Sequence, residues 1–260
     1  MCAVPVDEGQ WVLARLVAAG CVAAEEEAAE LLAAATDVEQ LEGWLRRREH
    51  GEPLAWIIGS APFCGHLVGV DQGVYVPRHQ SAELAVRAAA HLASVAGRAV
   101  DLCPGSGAVA VHLKHAAPAA SVIGVDLDAS AVACARRNGV EVLRGDLGEA
   151  LRPGAFDVVT AVAPYVPTDA LSLLPRDVQE FEPRLALDGG VDGLALLRRV
   201  VASAASLLRD GGWLLVELGG DQDALLAPEL ARHGFTSSTS WFDEDGELRG
   251  LEATREAPRR

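Results

Sequence analysis

The chain has 260 residues, half of them hydrophobic, and carries a formal net charge of -15 from 37 acidic and 22 basic side chains. That is enough apolar material for one large core and a small accessory unit. The acidic balance, reversed locally only at Arg46-Arg47-Arg48, disfavours nucleic-acid backbones and anionic lipid as partners. No window approaches the ~18 uninterrupted apolar residues of a membrane span. Met1-Cys2-Ala3-Val4-Pro5 has no basic stretch leading into an apolar one, so the expected location is the cytoplasm. Cys2, Cys21, Cys64, Cys103 and Cys134 are odd in number and lack Cys-x-x-Cys spacing. They are expected to be reduced, mostly buried thiols.

Three segments rich in Ala, Leu and Glu, from Glu8 to Ala19, Ala23 to Ala35 and Val38 to Arg48, have helical apolar spacing and predict a small helical domain over residues 1–60. Gly51-Glu52-Pro53 ends that pattern. Leu67 to Val70 and Val74 to Val76 are expected to pair as a hairpin turned by Asp71-Gln72-Gly73, within a linker over 61–80. From Ser81 onward helices and short β runs alternate: helix 81–95, strand 98–102, helix 107–115, strand 121–126, helix 129–137, strand 140–143, strand 156–161, helix 193–208, strand 213–218 and helix 221–233. Such alternation predicts an α/β domain over 81–260, a parallel sheet with helices on both faces. Two last strands, 235–241 and 248–254, meet across Asp243-Glu244-Asp245-Gly246. A closing hairpin suits a Rossmann-like sheet of seven strands, the class I methyltransferase form, better than a plain dinucleotide fold.

The chemistry is concentrated at the ends of these strands. Gly105-Ser106-Gly107 follows an apolar strand and opens a helix, where glycines let the backbone approach a ligand closely. Alone it is as readily a tight turn. The next strand ends at Asp126, where an acidic side chain accepts hydrogen bonds from both hydroxyls of a ribose. After the third strand come Asp146 and Leu147, an acceptor for the exocyclic amine of adenine and an apolar neighbour for its ring. Two such acids, beyond a loop lacking the third glycine of the dinucleotide fingerprint, suit an adenosine without a pyrophosphate, and S-adenosylmethionine (SAM) is such a ligand. Asp101 is placed to neutralise the methionine amino group or to order the loop by accepting its N–H groups. The alternatives are a turn-capping role for Asp101 and solvated strand-end acids at Asp126 and Asp146. No cluster has metal-ligand spacing, and no Ser-His-Asp signature is present.

The chain resembles the HemK/PrmC-type glutamine side-chain amide methyltransferases that modify peptide-chain release factors. The resemblance rests on Glu52-Pro-Leu-Ala-Trp-Ile-Ile-Gly59, Tyr75-Val-Pro77-Arg78, the Asp101 to Gly107 loop, Pro164-Tyr165-Val-Pro167, Phe181-Glu182-Pro183 with Ala186-Leu187, and Asp192-Gly193-Leu194. It implies a helical N-terminal domain that helps recognise substrate, a β-hairpin linker, a catalytic domain and a place for Tyr75 beside the cofactor. With Pro77, Cys103, Leu127 and Val162, the expected cofactor contacts are then Tyr75, Asp101, Gly105, Gly107, Asp126, Asp146 and Leu147.

Two departures bear on the acceptor. The family reads Asn-Pro-Pro-Tyr after the fourth strand, its Asn side chain and a backbone carbonyl holding the substrate amide. This chain reads Val162-Ala163-Pro164-Tyr165, and valine has neither donor nor acceptor. Losing a buried polar partner can cost a site ~10⁴ in selectivity. Pro77-Arg78-His79-Gln80-Ser81-Ala82 also replaces Pro-Arg-Pro-Glu-Thr-Glu, removing two acids. Val162, Pro164, Tyr165 and Glu182 form the expected substrate site, with Tyr165 stacking a flat ring and Glu182 as general base. The expected acceptor is a small aromatic or N-heterocyclic, indole-like metabolite of secondary metabolism. The alternatives are a glutamine methyltransferase of release factors that tolerates Val162, and a SAM-binding protein without catalysis. His79 reads as a surface or hydrogen-bonded histidine, Asp169 as the start of a helix, and Trp56 as packing between domains.

Overall fold

Val100, Leu102, Val122, Val125, Val158 and Val159 are buried because their strands are covered on both faces, as central parallel strands must be. The structure is a computed structural model that describes residues 6–256, with side chains from residue 9; Cys2 lies outside the described residues. The chain starts with α1 (Val6–Ala18), α2 (Ala24–Ala34), α3 (Val38–Glu49) and the short α4 (Leu54–Ile58), which share an apolar cluster of their own around Val12, Leu16, Leu31, Leu45 and Ile57. Asp37 caps α3, its carboxylate accepting the Gln40 N–H at 2.8 Å, a contact worth ~1 kcal/mol. Arg48, in the last turn of α3, donates to Glu27 of α2 at 2.6 Å.

The hairpin that follows is not the expected one. β1 (Ser60–Phe63) pairs with β2 (His66–Gly69) around Cys64-Gly65, both at positive φ (47° and 77°), as a tight two-residue hairpin turn requires. Residues 71–78 form no ladder and are held by side chains instead. The Trp56 indole donates to the Val74 carbonyl at 2.9 Å, and its ring meets Phe181 edge-on at 6.5 Å.

The main sheet comprises β3 (Arg98–Leu102), β4 (Ser121–Asp126), β5 (Glu141–Arg144), β6 (Phe156–Ala161), β7 (Leu208–Glu217), β8 (Phe235–Phe242) and β9 (Leu248–Arg255). Their order is β5-β4-β3-β6-β7-β9-β8, parallel except for β9, which runs antiparallel to both its neighbours. This is the seven-stranded, Rossmann-like arrangement that the alternation and the closing hairpin predict. Successive residues face opposite sides. Ala99, Val122 and Val158 pack with α5 (Ala82–Ala93), α6 (Ala108–Ala116) and α7 (Ala129–Arg137). Val100, Val125 and Val159 pack with α9 (Ala195–Leu207) and α10 (Gln222–Arg232).

Between β6 and α9 lies a segment of two 3₁₀ turns, Ala170–Leu173 and Arg184–Ala186, and the short α8 (Arg176–Phe181). It is pinned where it leaves and re-enters the sheet: Val166 N donates to Leu187 O at 3.1 Å, and Gly189 N to Val166 O at 2.8 Å. Asp169 stands at the start of the 3₁₀ turn Ala170–Leu173, as expected, but its side chain makes no capping bond. The thiols also differ from expectation. Among the described cysteines only Cys134 is buried, while Cys21, Cys64 and Cys103 are partly exposed. No helix among the described residues is long and apolar enough to cross a membrane.

Candidate functional site

Asp101, Asp126, Asp146 and Tyr165 all lie at or just beyond the carboxyl ends of parallel strands, the edge where open α/β sheets bind ligands. The Asp126 carboxylate is fixed from two sides, accepting Gly105 N–H at 3.0 Å and Asp128 N–H at 2.9 Å. It is thus Asp126, not Asp101, that orders the glycine loop. Gly105 has φ +57°, and a Cβ added there would meet no protein atom within 4 Å, so the backbone itself forms the wall. Asp101 is 1% exposed. One of its oxygens accepts the Thr160 hydroxyl at 2.7 Å; the other, Oδ2, is buried without a partner among the described residues. Burial pushes its pKa up to about 7, against the Thr160 bond and with some help from the Asp126 charge.

These groups line a cavity of about 210 Å³. Tyr75, Pro77, Asp101, Cys103, Gly105, Asp126, Leu127, Asp146, Leu147, Val162 and Pro164, all expected at the site, meet there. Gly107 does not. At φ +86° it sits against α7, where a Cβ would come within 3.1 Å of Ala135 and Val140, so it serves the packing of loop on helix. The cavity suits SAM on its own terms: an unpartnered buried carboxylate oxygen for a cation, a backbone-fixed carboxylate for hydroxyls, and apolar Leu147 and Leu196 walls. Sequence reasoning missed Arg199, which lines the cavity and donates to Asp146 Oδ2 at 2.8 Å. Nothing in a mid-helix arginine signals such a role.

Outside it opens a second cleft of about 920 Å³. One wall is Ala19–Ala23, Glu27 and Arg48–Gly51 of the N-terminal helices, another is Leu174–Val178, and the floor is Arg78, Gln80, Val162, Ala163 and Tyr165. Tyr75, Val162 and Ala186 belong to both spaces, so the two meet there. The Tyr165 hydroxyl accepts from Gln80 Nε2 at 3.1 Å, its carbonyl accepts from Gln222 Nε2 at 2.8 Å, and its ring lies over Gly219. Gly193 lets the chain pass beneath: at φ +71°, its missing Cβ would stand 2.3 Å from Tyr165 O. Below Tyr165 lies Glu217, 1% exposed, which accepts the Ser81 hydroxyl. Burial raises its pKa, opposed by Ser81, Tyr165 and Gln80 in turn.

Glu182 is not placed to act as a base. It lines neither space. Its two oxygens face Arg78 Nη2 and Val76 N, the latter at 3.4 Å. Burial raises its pKa, with Arg78 the chief opposing influence. It clasps the 71–78 segment over the cofactor cavity, and the Arg78 guanidinium lies 4.9 Å from the centre of the Tyr75 ring. Nor are the tyrosines bases: burial pushes Tyr75 up to about 12 and Tyr165 higher still, with Glu217 adding to the rise. His79 is exposed and faces neither space.

A methyltransferase-domain family model matches residues 99–180. A release factor glutamine methyltransferase of Geobacter sulfurreducens is 39% identical over 213 residues, 78% of this chain and 74% of that protein. The 4-amino-L-phenylalanine/4-methylamino-L-phenylalanine methyltransferase of Streptomyces pristinaespiralis is 38% identical over 201 residues, 73% and 68% of the two chains. Further relatives are mainly glutamine methyltransferases, of release factors and of ribosomal protein uL3. Among solved structures, the E. cuniculi Mtq2-Trm112 complex, responsible for methylating the termination factor eRF1, aligns with TM-score 0.53 at 17% identity, over 71% of this chain and 99% of that one; this likeness concerns the fold. These findings correct the expectation of a small aromatic or N-heterocyclic acceptor and of a place in secondary metabolism, since the relatives act mainly on proteins. Tyr165 is tied down at its hydroxyl, carbonyl and one ring face, and the space above it is the cleft of about 920 Å³.

Proposed function

Because the chain belongs to the HemK/PrmC-type release factor glutamine methyltransferase family and is a SAM-dependent methyltransferase, we propose that it methylates the side-chain amide nitrogen of a glutamine presented by a protein. The observation that carries this reading is the junction of the two spaces at Tyr75 and Val162. A small inner cavity holds the donor, and a cleft large enough for a polypeptide loop brings the acceptor to its mouth. The helices before residue 60 form one wall of that cleft and recognise the acceptor protein. A release factor is the first acceptor to test.

In this reading Asp126 accepts the ribose hydroxyls and Asp146 the adenine amine, with Leu147 against the ring. Asp101 Oδ2 faces the amino group, a cation that draws the carboxyl into its charged form. When bound, SAM supplies an electrophilic methyl on a sulfonium sulfur: the N–C bond forms as the S–C bond breaks, sulfur becomes a neutral thioether, and the nitrogen loses a proton to solvent. The chain adds alignment rather than proton transfer, since Glu182, Tyr75 and Tyr165 are not poised as bases. Holding reactants in line is itself worth several kcal/mol, up to ~7–11 in well-oriented cases. Pro164 and Tyr165 form the shelf on which the planar amide rests, and Val162 closes its apolar side.

Radiolabelled SAM incubated with release factor, and with the same protein carrying Gln→Glu in its Gly-Gly-Gln loop, tests the assignment. Label is expected on the first and absent from the second. Label on neither, or turnover only with free aromatic amines, would overturn it.

A further inference from the structure

Valine at 162 leaves an amide nitrogen without the side-chain acceptor that the family's asparagine provides, and the cleft floor offers a replacement. Gln80 lines the cleft beside Tyr165, Val162 and Ala163. Its orientation is dictated from below. Glu217 is buried at the end of β7, where burial raises its pKa, and its Oε1 has no hydrogen-bond partner among the described residues. Ser81 donates to it, and the Tyr165 hydroxyl and the Gln80 amide lie next to it. Gln80 Nε2 donates to Tyr165 Oη at 3.1 Å. With Nε2 bonded to Tyr165, the NH₂ of Gln80 points down and its carbonyl up. Gln80 Oε1 then has no partner among the described residues and is not sealed from the cleft.

We propose that Gln80 orients the acceptor and sets its class: Gln80 Oε1 accepts one N–H of the substrate glutamine's amide above the Tyr165 shelf, in place of the asparagine missing at 162. This rests on the glutamine reading and adds to it the residue that does the gripping. The family's glutamate at this position would bring a second carboxylate beside Glu217 and lose the donor that Tyr165 receives. Glutamine serves both directions at once, donating below and accepting above. The Tyr165 hydroxyl fixes which way the amide faces. The pair Val162 and Gln80 reads as one exchange, an amide lost from one side of the floor and gained on the other.

The test uses full-length protein and a release factor with an intact Gly-Gly-Gln loop, comparing wild type, Gln80→Ala, Val162→Asn and the double variant. Gln80→Ala is expected to raise the acceptor KM or lower kcat by ~10-fold, the weight of one well-placed neutral hydrogen bond. SAM affinity, read by calorimetry, should stay unchanged, which also reports that the variant is folded. Adding Val162→Asn to Gln80→Ala should recover most of the loss, because it returns an acceptor to the opposite side of the same floor. A merely structural role for Gln80 would not be rescued from 162. Gln80→Ala with wild-type kinetics, or a loss shared equally by SAM binding and unrelieved in the double variant, overturns the proposal. A wild type that labels no glutamine overturns the glutamine reading itself, a different result from an active wild type indifferent to residue 80.

Discussion

The inner cavity and the outer cleft are built from the same strand ends, yet they are held in different ways. The donor cavity is fixed by backbone: Gly105 N–H and Asp128 N–H grip Asp126, and Asp101 sits within β3 with Thr160 of β6 behind it. The acceptor cleft is fixed by side chains from distant segments, Gln80 on Tyr165, Gln222 on its carbonyl, and Glu182 on Arg78. A site made by strand geometry tolerates little change, whereas one made by side chains can exchange an asparagine for a glutamine elsewhere. Between the two runs the 71–78 segment, which contributes to both walls.

That shared segment offers the most severe way to break the comparison. Glu182→Ala leaves the half-buried Arg78 unpaired and frees Val76 N, and breaking a buried pair from one side costs ~3–5 kcal/mol. Denaturant unfolding should show that loss, with SAM and acceptor binding weakened together. A general base would behave otherwise, losing turnover with stability intact. Next in size is Asp126→Ala. A carboxylate with two backbone donors and two ribose hydroxyls is expected to carry ~100-fold in SAM affinity. At saturating SAM the acceptor KM should hold, because the cleft floor does not touch Asp126. An equal rise in acceptor KM would mean that the two regions are not separable.

Asp101 gives a pH test. Its pKa is about 7 in the folded chain against an ordinary 3.8, so from about pH 4 to 7 the folded state holds a proton that the unfolded state has released. Its contribution to stability is full at the acid end and is lost as pH rises through 7. SAM binding should run the opposite way. The amino group selects the ionised carboxylate, so affinity should climb ~10-fold between about pH 6 and 8. Calorimetry in buffers of different ionisation enthalpy should show proton release below pH 7. Asp101→Asn should flatten the profile; a profile unchanged by that substitution would remove Asp101 from the amino-group site.

How legible each region was in the sequence follows from the same contrast. Strands 98–102, 121–126 and 156–161 and their acids could be read because apolar runs ending in a glycine or an acid are local patterns. The hairpin was misplaced because Asp71-Gln72-Gly73 looks like a turn, while the actual turn takes Cys64 at φ 47°, a conformation its residue type does not advertise. Glu182 was misread as a base because its partner Arg78 lies 104 residues away. Gln80 was noticed only as a missing acid, since its donor and acceptor directions depend on Tyr165, 85 residues further along. Sequence reading reached what the backbone places and missed what side chains close over long range.

The smallest expected effect bears on the rim of the donor cavity, where the comparison is least secure because a side-chain pair helps to fix a strand-end acid. Arg199 holds Asp146 through Oδ2 alone, at 2.8 Å, which in the proposed reading leaves Oδ1 for the adenine amine. The pair is exposed, the two side chains at 51% and 37%, so its worth after solvent screening is at most ~1 kcal/mol. If Arg199 orients the carboxylate, Arg199→Ala should weaken SAM binding by ~2–5-fold. The deficit should fade toward ~1 M salt, where the screening length falls to ~3 Å. If the arginine instead competes with the amine for Asp146, the same substitution should tighten binding, and added salt should tighten the wild type toward it. The sign at low salt thus separates a supporting arginine from a rival one. A supporting arginine would make Asp146 the one donor contact held as the acceptor cleft is, by a side chain on a helix rather than by the backbone of the sheet.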